Sequence, residues 1–252
     1  MSGAQPSVPP PGDTPLTSLA HQLIEALGRG TWGPDALEVL VGAAVAQLPG
    51  CTDASLTSVA PGSTPATVAS TSERAVRADT WQYELAQGPC LDAAAGSPLV
   101  RASLVDGETP WPEWAPRVVA EAGYAGVLSV RLGSQAHPLG SLNVYGTDAA
   151  ALAALPAEDA ESFAALTSVV LASARRAGHL EEAVERRTVI GQAQGILMER
   201  YKMTAADAFA LLRGLSQQSN TKLFDLAQEL AETGQLPRDA SGRPAAGGLP
   251  LS

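Results

Sequence analysis

Residues 184–236 read VERRTVIGQAQGILMERYKMTAADAFALLRGLSQQSNTKLFDLAQELAETGQL. Three helices account for this stretch. The first ends near Tyr201. The second starts at Thr204, whose hydroxyl can cap it, and Asp207 suits the positive end of its dipole. The third starts near Asn220 or Thr221, again a capping residue, and stops at Gly234. Ala208, Leu211, Leu212 and Leu215 on the second helix are spaced to pack against Leu223, Leu226, Ala227 and Leu230 on the third. Leu197 and Met198 from the first complete a small core. Phe209 and Leu212 are assigned to that core.

Gly191 and Gly195 stand four apart on one face of the first helix. Glycine inside a helix costs on the order of 1 kcal/mol relative to alanine. Two on one face call for a close neighbour, either a second helix or a ligand backbone, and Ala193 keeps the adjoining surface small. Gln192, Gln194, Arg200, Arg213, Ser216, Gln217, Asn220 and Lys222 surround the patch. Amides, hydroxyls and guanidinium groups suit hydrogen bonds to base edges and phosphates, above all on splayed single-stranded loops. A structural helix with a solvated polar face would carry the same residues, and physics alone prefers that reading.

The segment resembles the ANTAR domain, an RNA-binding module of transcription antitermination regulators. The residues that carry the resemblance are Arg187, Ile190, Gln192 through Met198, Ala208-Phe209, Leu212-Arg213, Ser216-Gln217, Asn220, Leu223 and Leu226-Ala227. The family usually has lysine where this chain has Gln194, which removes one phosphate contact. The resemblance implies a protein that binds two adjacent small RNA hairpins. Holding them prevents an overlapping terminator stem or other competing structure from forming. It also implies a dimer controlled by an input domain. On this reading Ala193, Gly195 and Met198 let the RNA loop approach. Arg200, Lys202, Arg213 and Lys222 contact phosphate, while Gln192, Gln194, Ser216 and Asn220 read bases or support the readers.

Upstream, the helical pattern runs unbroken from about Pro156 to Lys202, longer than a typical globular helix. Leu166, Val170, Ala177, Leu180 and Val184 recur at spacings of three and four, interrupted by Ser173. Such a seam suits a short parallel coiled coil between two copies of the chain. A helix packed back on its own sheet explains Leu166 and Val170 equally well. Leu180 and Val184, flanked by Glu181, Glu182, Glu185 and Arg186, favour the dimer.

Before that helix the period changes. Helices are expected over about 16–27, 34–48, 72–87 (with Ser72 as N-cap) and 111–121. Strands are expected over 54–60, 66–70, 99–104, 126–132 and 139–145, with a turn at Pro61-Gly62. Strands mixed with helices without strict alternation predict an α+β domain on a largely antiparallel sheet. Residues 16–175 resemble a GAF domain. The supporting phrases are Trp81-Gln82-Tyr83-Glu84, Gln87 through Ala93, Trp111-Pro112 and Leu139 through Tyr145. That family is a sheet flanked by helices, often with a small-molecule pocket, and the fold by itself names no ligand. The expected organisation is a disordered tail over 1–14 and a GAF-like sensor over 15–175 with its signalling helix from about 157. An ANTAR-like domain over 176–237 and a second tail over 238–252 follow.

The remaining features narrow the function. Net charge is −10, but residues 1–183 hold eight arginines, no lysine and nineteen acids, while residues 184–252 hold eight cations and seven acids. A slightly positive module on an acidic carrier points to an interaction domain at the C-terminus. Cys51 and Cys90 are too few for a disulfide framework. Cys90 reads as a small buried hydrophobe, with a redox or tetrapyrrole-bearing thiol as the rarer reading. His21, His137 and His179 show no metal-ligand spacing. Trp111 and Trp114 are assigned to the edge of the core. No nucleophile elbow, phosphate-binding loop or acid/base pair is present, so the chain is read as non-enzymatic, without metal or cofactor. A small-molecule signal in the sensor remains open. No apolar run reaches 18 residues, and the N-terminus lacks a signal-peptide pattern, so a cytoplasmic protein is expected. Two other readings stand. One is a sensor acting through protein contacts. The other is a helix-turn-helix DNA binder, disfavoured by Asp225, Glu229 and Glu232 on the third helix.

Overall fold

The structure, a computed structural model, describes Leu23 together with residues 34–59, 64–106 and 109–236. Apart from Leu23, the helix expected over 16–27 lies outside the described residues, as do the Pro61-Gly62 turn and both tails. The chain divides into two compact units, the first ending at Ala177 and the second beginning at Gly178.

The first unit opens with α1 (Pro34–Gln47), followed by β1 (Asp53–Ser58), β2 (Ala66–Ser70), α2 (Glu73–Leu85) and α3 (Pro89–Ala95). Then come β3 (Leu99–Ser103), α4 (Trp114–Arg117) running into a π turn over Val118–Ala122, β4 (Gly126–Gly133), β5 (Pro138–Gly146) and α5 (Ala149–Ala153). The five strands form one sheet in the order β2-β1-β5-β4-β3, antiparallel at every pairing. This is the α+β architecture the strand pattern predicts. Ser72 caps α2, accepting from the Ala75 N–H. The short helices α3 and α5 were not legible: each spans less than two full turns of mostly small residues, too short for a periodic pattern.

Side chains alternate across the sheet, so each strand feeds two faces. Ala54, Leu56, Leu128, Val130, Leu132, Leu142 and Val144 line one face and pack with α1 and with Phe163, Ala164 and Leu171 of α6 (Ala157–Tyr201). Val170 is buried in this same cluster and Leu166 is half-buried against it. These two residues of the expected dimer seam therefore pack on their own sheet. Arg175 reinforces the attachment, donating to Ser58 Oγ at 2.6 Å and to the Val59 carbonyl at 3.0 Å.

The opposite face is polar and equally buried. Ser55, Thr57, Ser129, Ser141 and Asn143 have essentially no exposure. Registry places Ser55, Asn143 and Ser129 in a row across β1, β5 and β4. At one end of this face Trp81, Trp111, Trp114, Tyr124 and Tyr145 build a second apolar cluster. The Trp111 and Trp114 rings meet edge to face, 5.5 Å between centroids, and both are deeply buried, so they form the middle of that cluster and not its edge.

The second unit holds the rest of α6, then α7 (Ala205–Ser219) and α8 (Leu223–Thr233). Thr204 caps α7 and accepts from the Asp207 N–H, as its position predicts. The expected cap of α8 is corrected. Asn220 is the left-handed C-cap of α7, with its N–H bonded to the Ser216 carbonyl, and Lys222 occupies the N-cap of α8 without a side-chain bond. Gly234, at φ 68°, ends α8 in the left-handed conformation glycine favours.

Candidate nucleic-acid interface

The three helices of the second unit enclose Ala193, Leu197, Ala208, Leu212, Leu215, Leu226, Ala227, Leu230 and Leu236. Two assignments reverse here. Ala193, expected to face RNA, is fully buried, because it lies one turn before Leu197 on the inward face of α6. Phe209, expected in the core, is 40% exposed, and Met198, expected both to complete the core and to face RNA, is 37% exposed. Each follows a buried residue by one position, a rotation of about 100° that carries it off the core stripe.

Gly191 and Gly195 are exposed, and a β-carbon built on either would meet nothing within 4 Å. Among the described residues no helix explains their small size. Gly195 lines a shallow hollow of about 630 Å³ with Gln192, Ile196, Glu199, Arg200 and Ala231. A neighbouring hollow of about 470 Å³ shares Gln192 and Ala231 and adds Glu182, Glu185, Arg186, Phe224 and Glu232. Together they form the groove between α6 and α8. Arg186 bonds Glu182 at 2.7 Å and lies over the Phe224 ring.

The other side of α6 faces α7. Gln194 is half-buried and donates its amide to the Ala205 carbonyl at 3.0 Å, tying the two helices together at the start of α7. Ser216 donates to the Thr221 carbonyl at 2.7 Å and holds the α7–α8 corner that Asn220 turns. Arg213 and Lys222 are exposed. Lys202, in a left-handed backbone at φ 53°, pairs with Glu199 at 3.1 Å. The expected site residues therefore divide. Gln192, Gly195 and Arg200 line the α6/α8 groove, Gln194 sits where α6 meets α7, Arg213, Ser216, Asn220 and Lys222 belong to α7 and the corner after it, and Ala193 is core. Of the seam, Ala177 is half-buried, while Leu180 and Val184 are 67% and 61% exposed.

In the first unit the polar sheet face meets α2 at Asp79, which sequence reasoning missed. Its carboxylate accepts from Tyr145 Oη at 2.6 Å, Thr67 Oγ1 at 2.8 Å, Asn143 Nδ2 at 3.0 Å and Gln82 Nε2 at 3.5 Å. Full burial raises its pKa, against these hydrogen bonds, which lower it. Asn143 extends the network to Ser55 and Thr57, and Tyr83 bonds Thr57 at 2.9 Å. Beside it Asp53 accepts from Tyr124 Oη at 2.8 Å and from Arg74. Cys90 is 1% exposed, and burial first, then the Asp79 charge, push its thiol well above the ordinary range. A buried thiol held neutral is a packing residue and a poor nucleophile, which disfavours both redox sensing and tetrapyrrole attachment. Cys51 is pushed up to about 12 by burial and Asp53.

In fold the chain is similar to solved structures that include the following three. The GAF domain of a phosphoenolpyruvate-protein phosphotransferase from Coxiella burnetii is 15% identical (69% of this chain, 99% of that one, TM-score 0.49). A free methionine-R-sulfoxide reductase from Neisseria meningitidis is 14% identical (70% and 99%, TM-score 0.47). A bacteriophytochrome from R. palustris is 14% identical (90% and 49%, TM-score 0.49). Comparison with curated proteins gives no match. The model of the ANTAR domain matches residues 178–230, from the start of the second unit into the last turn of α8. The ANTAR match thus lies C-terminal to an α+β domain built on five antiparallel strands.

Proposed function

We propose that the chain is a signal-responsive regulator that binds paired RNA stem-loops and prevents a terminator or other competing RNA structure from forming. The observation that carries this reading is the ANTAR match over residues 178–230, since that domain is an RNA-binding module of antitermination regulators. The exposed cations and amides of the three-helix unit support it. The GAF-like domain, proposed over 15–175, is the input and takes a small-molecule signal. The output domain, over 176–237, works as a homodimer in the cytoplasm. Leu180 and Val184 support that dimer, being exposed apolar residues one turn apart among charged neighbours.

A gel shift tests the reading. The full chain is offered two adjacent small hairpins, the same RNA with scrambled loops, and a DNA duplex. Loop-dependent binding is expected. A folded, dimeric protein with no preference for the hairpin RNA would overturn the proposal.

One observation favours a second reading, a sensor acting through protein contacts. Gln194 stands where the family usually has lysine, and its amide is committed to the Ala205 carbonyl. RNA binding restored by Gln194→Lys would place the difference at this residue.

A further inference from the structure

We propose that Phe209 is a stacking platform for an unpaired base of the RNA loop, and that the α7 flank it shares with Arg213 meets the RNA, with the α6/α8 groove facing away. This rests on the RNA-binding reading above and names the face and the contact it uses.

Phe209 lies outside the three-helix core although Ala208 and Leu212 beside it are fully buried. An exposed aromatic ring has little to gain from water, so its position calls for a partner. The other phenylalanine of the unit, Phe224, is half-buried beneath the Arg186 guanidinium. Phe209, Arg213, Ser216 and Asn220 recur at spacings of four, three and four, which sets them along one flank of α7. That row offers a ring, a cation, a hydroxyl and an amide, and no carboxylate. The acid of α7, Asp207, is engaged with the Thr204 hydroxyl at 2.6 Å.

The groove on the other side has the opposite character. Glu182, Glu185, Glu199 and Glu232 line it against Arg186 and Arg200, and Arg186 is already paired with Glu182. Four carboxylates against two guanidinium groups repel a phosphate chain. A single ring bordered by a cation and amides is too small an apolar area for a stable protein interface. It fits one base: the ring takes the π-face and Arg213, one turn on, takes the adjoining phosphate.

The test uses the full chain and an RNA of two adjacent small hairpins with 2-aminopurine in a loop. Phe209→Leu keeps apolar bulk but removes the π-face. It is expected to weaken binding about tenfold and to abolish quenching of the 2-aminopurine, while Phe209→Tyr keeps both. Arg213→Gln is expected to lower the slope of log affinity against log salt by about one, and Arg186→Gln to leave it unchanged. Wild-type affinity in Phe209→Leu, or a slope carried by Arg186 instead of Arg213, overturns this inference and leaves the RNA reading standing. A wild-type chain that ignores the hairpin RNA overturns the RNA reading itself, and this inference with it.

Discussion

The two units store their polarity in opposite places. In the first, a carboxylate, two amides, several hydroxyls and two tyrosines are sealed between a sheet face and α2, and they satisfy one another. In the second, the buried cluster is apolar apart from the tyrosine hydroxyl at its margin, and the amides and cations lie on or near the surface. A buried polar network fixes one arrangement of its own elements, because every broken bond leaves a group unpaired away from water. A surface of free donors can answer to a partner. The difference assigns rigidity of side-chain order to the α+β domain and recognition to the helices.

The strongest way to break the contrast is to remove its hub. Asp79→Ala deprives Tyr145, Asn143 and Thr67 of their acceptor, and each buried orphan donor costs about 1–3 kcal/mol. Chemical denaturation should show the first unit losing several kcal/mol while the α-helical unit retains its own transition. Asp79→Asn sharpens the same point through pH. Burial raises the folded-state pKa of Asp79, so folding takes up a proton above the unfolded carboxylate pKa. The wild type's stability from this group is full below the unfolded pKa and is lost as pH rises through the folded one. Its advantage over Asp79→Asn should therefore shrink as pH rises above the ordinary carboxylate pKa of about 4. A difference that grows as pH rises would show an ionised Asp79 holding the network.

The second unit answers to apolar volume. Leu197→Ala empties the middle of a small three-helix core and should cost about 2–5 kcal/mol. Circular dichroism melting should lose the later helices and leave the sheet intact. Equal loss from both units would mean that they do not unfold separately.

How much of this was legible in the sequence follows the same division. Local signals read true: Ser72 and Thr204 cap their helices, and Gly234 stops α8. The alternating apolar residues of β1, β4 and β5 gave the sheet. Its second face was harder, because serines, threonine and asparagine alternating with valine and leucine look the same under water or under a helix. Only tertiary packing buries them, and Asp79, on a helix of mixed polar residues, gave no local sign of being the hub. The seam was ambiguous for a related reason. Spacing places Leu166 and Leu180 in one series, but the sheet takes the first and leaves the second exposed. In the candidate interface the composition was legible and the direction of each side chain was not. One residue's rotation separates buried Ala208 from exposed Phe209, and the apolar pattern alone put both inside.

The smallest effect bears on why the surface of α6 is bare. Nothing among the described residues packs against Gly191, and a β-carbon there meets none of their atoms within 4 Å. Helix propensity alone then makes Gly191→Ala stabilising, by about 0.5–1 kcal/mol. If the helix served only to hold its own unit together, this gain would carry no cost. If a partner needs the space, the same methyl group should raise the melting temperature and weaken RNA binding or self-association together. Sedimentation of the variant, alone and with the paired-hairpin RNA, separates those cases. Stabilisation with unchanged dimerisation and RNA affinity would remove Gly191 from any interface and leave its glycine without a structural reason. Opposite signs in stability and binding would show that the helix gives up some of its own stability for a close approach.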